Sequence, residues 1–275
     1  MQPSLILNQV VYPPEQQVLP FALTDVLTEY TSLTGQSLLH FWQLTPTMIL
    51  GMKDTRVPHL SAALATLTNQ QLQVVVRNSG GLGVICDEGV LNITLFLPLT
   101  EKKLSTDAAY NAMYQLTQQA FPELTITTGE VADSYCPGEY DLSVNGRKIA
   151  GIAQRRLKQG VAVMMYLSVS GDQQNRGQIV RHFYQAGLAE GFGTAGYPPV
   201  NPDSMTTLTR ELGQELTIHD CQARFATAYA PQALPLASDQ WLATHEELAD
   251  SYQRRITSML NRNQEIKELI HDDHV

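Results

Sequence analysis

The sequence predicts an α/β chain of the α+β type: a mixed, mainly antiparallel β-sheet core flanked by helices, followed by a helical C-terminal part. Three observations carry this. Residues 74–76 form a continuous β-branched run, and 92–97 alternate with Ile93, Leu95 and Leu97 on one face, both strand signatures. Residues 124–169 are rich in strand-forming segments and contain Asn145-Gly146, the preferred pair of a two-residue hairpin. The string GYPPVNP at 196–202 is the clearest boundary, and beyond it the pattern turns helical. We therefore expect a core over residues 1–200 and a helical extension, 201–275, packed on it.

The elements follow in order. Residues 21–34 read as a helix stopped near Gly35, and 38–42 and 47–50 as two short strands around a Pro46 turn. Residues 59–69 read as a helix. Ser105 or Thr106 caps a helix ended by Pro122, whose stripe of Tyr110, Met113, Leu116 and Ala120 faces the core. Strands are expected at 124–128, 142–144, 148–155 and 161–169. Helices are expected at 176–190, at 217–229 and at the C-terminus. Thr244 and Glu247 form the capping box of that last helix, and Leu248, Tyr252, Met259, Ile266 and Ile270 its apolar stripe.

Of the 275 residues 43% are hydrophobic and 16% charged, an ordinary globular balance. A net charge of −9 argues against non-specific binding to nucleic acid or an anionic membrane. Cys86, Cys136 and Cys221 are sparse, odd in number and without CxxC spacing, which argues against a disulfide framework and a structural zinc site. The seven histidines show no metal-like clustering, and there is no GxxxxGK[ST] loop or GxSxG elbow. The N-terminus lacks a basic n-region and no run reaches the ~18–20 apolar residues of a membrane span, so a cytoplasmic chain is expected.

Chemistry concentrates in two segments. In SYCPGEYDLSVNGRKIAG, 134–151, Cys136 stands in a Pro/Gly turn and Lys148 lies on the strand after the hairpin. A thiol is a competent nucleophile only as a thiolate, and a nearby cation favours the anion. The pair fits acyl transfer if the chain folds back between them; the bland alternative is a small buried hydrophobe. The polar flank of Glu139, Asp141, Arg147 and Lys148 argues against a buried segment. In RNSGGLGVICDEGVLNITL, 77–95, the Ser79-Gly80-Gly81 turn brings backbone N–H groups toward a ligand, with Arg77 at the lip. The same segment equally fits a Gly-rich hairpin with a solvated Arg. Ala150-Gly151 leaves a small-residue gap in a strand, and Arg155, Arg156 and Lys158 are read as a solvated hairpin end.

These two segments, with LLHFWQLTPTMILGMKD upstream, resemble the biotin/lipoate ligase and octanoyltransferase superfamily over about residues 36–170. SYCPG narrows the resemblance to its amidotransferase branch, the octanoyl-[glycine-cleavage H protein]:protein N-octanoyltransferases. The resemblance implies a ligase-like catalytic domain and an acyl-thioester on Cys136, with Lys148 favouring the thiolate. It also implies a tunnel built with Arg77, Ser79, Gly80 and Gly81; Asn92, Gly138, Ala150 and Gly151 complete the candidate substrate-binding set. The implied donor is octanoylated H protein and the implied acceptors are lipoyl domains of 2-oxoacid dehydrogenase E2 subunits, with no ATP, metal or other cofactor. ATP-dependent lipoate ligases commonly show His-Asp where this chain has Cys86-Asp87, leaving Cys86 a buried structural thiol. The alternatives are an octanoyltransferase fed by acyl carrier protein, an ATP-dependent ligase, and a non-catalytic lipoyl-domain scaffold.

Overall fold

The computed structural model describes residues 4–9, 11–99 and 104–272. Its strands are β1 (Leu5–Asn8), β2 (Leu38–Trp42), β3 (Thr47–Leu50), β4 (Gln73–Val76), β5 (Val84–Cys86), β6 (Val90–Pro98), β7 (Thr127–Thr128), β8 (Leu142–Val144), β9 (Arg147–Leu157), β10 (Gly160–Ser168) and β11 (Leu236–Ala237). Its helices are α1 (Leu19–Thr34), α2 (Leu60–Thr68), α3 (Thr106–Ala120), α4 (Gln173–Leu188), α5 (Leu208–Leu212), α6 (Ile218–Tyr229), α7 (Ser238–Ala243) and α8 (Ala249–Asp272). An eight-stranded sheet runs β11-β1-β2-β6-β10-β9-β8-β7, and a three-stranded sheet runs β4-β3-β5. Pairing is antiparallel except for β1 with β2 and β11, and β3 with β4. The mixed, mainly antiparallel architecture matches the expectation.

Both faces of the large sheet are covered, so β6 is buried on both. Leu91, Ile93 and Leu95 join α3 and α6 in one core cluster, while Phe96 joins α1 and Trp241 in another. The expected alternation along β6 is therefore real as direction but not as polarity: the second face carries Asn92 and Thr94 toward a cavity. A third cluster lies between the small sheet, α2, α4 and Met259 and Ile266 of α8. Asn263 of α8 accepts from Val76 N at 2.6 Å and donates to Val76 O at 3.1 Å, so the last helix grips the end of β4 just before Arg77.

Local chemistry explains where the elements stop. Gly35 closes α1 in the left-handed region at φ 70°. Ser105 caps α3 by accepting from Ala108 N at 3.0 Å, and Thr217 caps α6 in a reciprocal box with Asp220. Asn145 and Gly146 adopt φ of 52° and 74°, the type I′ pattern, joining β8 to β9 as expected. Two expectations fail. The strand at 124–128 shrinks to Thr127–Thr128, because the Gln118 side chain donates to Leu124 O and accepts from Ile126 N in place of a ladder. Thr244 does not cap α8: its hydroxyl bonds back to Trp241 O at 2.7 Å, and a 3-10 turn, Glu246–Leu248, precedes the helix.

Candidate active site

Between the two sheets lies a cavity of about 300 Å³, at the small end of the range for ligand clefts. Aromatic and aliphatic side chains, among them Phe21, Trp42, Ile49, Val84, Met164 and Met165, form much of its wall. Cys136, Lys148, Arg77, Ser79, Gly80, Gly81, Asn92, Gly138 and Gly151 all line it. Ala150 does not. It pairs with Leu142, fully buried on the α3 side, so its small side chain serves packing and its expected place at the ligand is corrected.

Cys136 is half-buried and adopts φ 47°, the left-handed region that a non-glycine residue occupies at a cost. Its sulfur accepts from Leu82 N at 3.1 Å and from Arg77 Nη2 at 3.6 Å. Arg77 is 9% exposed and its guanidinium is held by the loop: Nε donates to Gly80 O at 3.1 Å and Nη2 to Leu82 O at 2.9 Å. The solvated-Arg reading is thereby overturned, and the SGG segment is a loop wrapped round a guanidinium. Gly81 has φ 98°, and a Cβ there would overlap Arg77 Nη2 and lie 3.0 Å from the Cys136 sulfur. Gly81→Ala is therefore expected to displace the guanidinium from the thiol and to slow alkylation of Cys136 by iodoacetamide by about tenfold or more.

Lys148, expected to favour the Cys136 thiolate, makes its hydrogen bonds to groups other than the sulfur. Its Nζ donates to Asp141 Oδ1 at 2.9 Å, Cys136 O at 2.8 Å, Tyr135 O at 3.0 Å and Ser134 Oγ at 3.2 Å. An ammonium has three donors, so four acceptors occupy all of them. Lys148 thus grips the backbone of the Cys136 turn, while Arg77 and Leu82 reach its sulfur. Asp141 completes the turn by accepting at Oδ2 from Gly138 N at 3.1 Å and Val131 N at 3.3 Å. Asp141 and Lys148 are only 1% and 4% exposed, so these two of the four flanking polar residues form a buried ion pair, while Glu139 is exposed and Arg147 half-buried. Burial pushes the Asp141 carboxyl above its ordinary value, against the pull of the ammonium. Beyond residue 200 the chain reinforces this strand, with Thr206 N donating to Lys148 O at 2.9 Å.

Several supporting residues carry no local sequence signal. Arg155, expected to be solvated, pairs with buried Asp25 and donates through Nη1 to Asn78 O at 3.0 Å, tying the loop after Arg77 to α1. Arg156 and Lys158 are exposed, as expected. Tyr110 stacks on Tyr140 with centroids 4.2 Å apart and lines the cavity, while Met113, Leu116 and Ala120 fill the core. Cys86 is fully buried, accepts from Asn92 Nδ2 at 3.5 Å, and is pushed up to about 12 by burial, which makes it an inert thiol. The acidic turn is anchored by Arg176, whose Nε and Nη2 reach the two Asp87 oxygens at 2.7 and 2.6 Å. Among the described residues no group of three or more His, Cys, Asp or Glu could hold a metal ion, and no helix is long and apolar enough to cross a membrane.

The family model for the lipoyl protein ligase A/B catalytic domain matches residues 17–230. An octanoyl-[GcvH]:protein N-octanoyltransferase of Oceanobacillus iheyensis is 38% identical over 256 residues, covering 91% of this chain and 90% of that one. The chain belongs to this family of acyltransferases. An enzyme of the same description from Anoxybacillus flavithermus is 43% identical over 200 residues, 72% of each chain. A lipoyl-[GcvH]:protein N-lipoyltransferase of Listeria monocytogenes is 33% identical over 252 residues, covering 90% of this chain and 91% of that one. The shared fold extends to a lipoate-protein ligase A crystallised with ATP, at a TM-score of 0.65 and 14% identity over 92% of this chain and 96% of that one. The family is thus the one the sequence motifs resemble.

Buried Asp54 has a carboxyl pushed up to about 6, chiefly by its burial. A carboxyl raised in the fold holds its proton more tightly there than in the unfolded chain. Its contribution to stability is full below pH ~4 and is lost as the pH rises through ~6, about 3 kcal/mol in all. Asp54→Asn removes this slope. Urea unfolding at pH about 5 and about 8 should therefore show wild type losing stability relative to the variant as the pH rises.

Proposed function

We propose that the protein is an amidotransferase that moves an octanoyl group from the lysine of glycine-cleavage H protein to the lysine of lipoyl domains in 2-oxoacid dehydrogenase E2 subunits. The names of its relatives support the donor. The observation that carries the reading is a half-buried thiol in a strained turn, lining an apolar cavity, with the Leu82 N–H and the Arg77 guanidinium directed at its sulfur.

In the first half-reaction the Cys136 thiolate attacks the carbonyl carbon of the octanoyl-lysine amide. A C–S bond forms, the C–N bond breaks, and the donor lysine leaves after taking up a proton. In the second, the neutral amine of the acceptor lysine attacks the thioester; a C–N bond forms, the C–S bond breaks, the nitrogen gives up a proton and the thiolate is regenerated. One amide replaces another, so protons balance and the chemistry requires no ATP. Covalent catalysis divides a difficult acyl transfer into two steps. Arg77 and the Leu82 N–H stabilise the sulfur anion. Lys148 and Asp141 hold the Cys136 turn, and the cavity receives the acyl chain.

Steady-state kinetics with octanoylated H protein and a separate lipoyl domain, without ATP, test the proposal. Parallel double-reciprocal plots are the expected ping-pong pattern. Intersecting plots would contradict a free acyl-enzyme, and turnover only with octanoyl-acyl carrier protein would replace the donor.

A further inference from the structure

The segment Gly81–Gly83, which presents the Leu82 N–H to Cys136, is held from both ends by one buried carboxylate. At one end Asp54 Oδ2 accepts from Gly51 N at 2.7 Å, and Gly51 lies so close beneath Gly81 that a Cβ there would overlap the Gly81 carbonyl. At the other end Tyr184 donates to Asp54 Oδ1 at 2.8 Å, and the same hydroxyl accepts from Gly83 N at 3.2 Å. Asp54 and Tyr184 are fully buried, on the turn after β3 and on α4. Neither lines the cavity. A carboxylate and a phenol removed from both water and substrate thus support the donor loop at both flanks, Tyr184 by a hydrogen bond to Gly83 and Asp54 through the Gly51 backbone packed beneath Gly81.

We infer that Asp54 and Tyr184 are positioning residues that fix the Leu82 N–H on the Cys136 sulfur and so set the rate of acylation. This rests on Cys136 being the acylated thiol. Ionised Asp54 accepts both bonds; once protonated it leaves either the Gly51 N–H or the Tyr184 hydroxyl proton without an acceptor. The charged and titratable groups acting on the pair are Arg77 and Lys53 on Asp54, Cys136 on Tyr184, and Tyr197, which lies within reach of Asp54 and Arg56. The cations favour the carboxylate, and burial opposes it. Acylation should accordingly lose an Asp54-dependent share as the pH falls through ~6.

The test is the rate of octanoyl loading onto Cys136 from octanoylated H protein, read by intact mass in wild type, Tyr184→Phe, Asp54→Asn and Cys136→Ala. Removing the Tyr184 hydroxyl orphans the Gly83 N–H and should lower kcat about tenfold or more with the donor KM within about twofold. Asp54→Asn should be slow and should lack the Asp54-dependent share of the acid limb shown by wild type. A wild-type rate in Tyr184→Phe, a change confined to KM, or an unchanged acid limb in Asp54→Asn would overturn the inference. If melting shows Tyr184→Phe to be unfolded, the Asp54→Asn pH profile decides; if that variant is unfolded too, the wild-type profile decides, and a rate flat from pH about 5 to 8 overturns the inference. If wild type itself acquires no adduct, the thioester reading has failed. Iodoacetamide alkylation of Cys136 then still tests the relay, since a positioned donor makes the rate differ between wild type and Tyr184→Phe, and equal rates would refute it.

Discussion

Replacing Cys136 with serine is expected to lower octanoyl transfer by at least about 10³-fold while leaving the fold intact. A hydroxyl in place of the thiol fits a half-buried position, but at neutral pH it supplies no anion for the Arg77 guanidinium and the Leu82 N–H to stabilise. Stability should change by less than about 1 kcal/mol, because the Lys148 clamp holds the carbonyl of residue 136 and not its side chain. Transfer assays beside thermal melts separate the two effects. Residual activity near wild type would remove Cys136 from the chemistry, and a large drop in Tm would turn it into a packing residue.

The second large effect belongs to Lys148. Lys148→Met leaves the Asp141 carboxylate buried without its ion-pair partner and deprives three other oxygens of their shared donor. Breaking a buried pair from one side costs about 3–5 kcal/mol. The Cys136 turn, held at a positive φ by these bonds, should relax, so transfer is lost together with stability. Adding Asp141→Asn should recover part of the stability and none of the activity, because it removes the uncompensated charge without rebuilding the clamp. Urea unfolding of the single and double variants measures this. A Lys148→Met variant as stable as wild type would refute the clamp, and one that keeps full transfer would show that the turn holds without it.

The sequence revealed much of the fold because local chemistry and tertiary packing agree there. The boundaries of β2 and β3, the Ser105 cap and the Asn145-Gly146 hairpin all follow from nearest-neighbour rules. Cys136 and the Ser79-Gly80-Gly81 turn announced themselves by residue type, and the cavity gathers them. What sequence could not show is direction. Lys148 stands twelve residues from Cys136, and only the hairpin register decides that its ammonium meets the backbone carbonyl instead of the sulfur. Arg77 reaches that sulfur from another sheet. Asp54 sits inside the recognised GMKD string, yet its partner Tyr184 is 130 positions away on α4. Asp25 and Arg155 are likewise joined across 130 positions, a contact that composition alone recorded as a solvated charge.

Intact-mass spectrometry of the protein mixed with octanoylated H protein in the absence of ATP, beside Cys136→Ala, tests directly whether Cys136 carries the acyl group. One octanoyl adduct is expected, labile to hydroxylamine, mapped to Cys136 and absent from the variant. Octanoyl transfer to a lipoyl domain by a wild-type protein that never carries the adduct, or by Cys136→Ala at the wild-type rate, would contradict it.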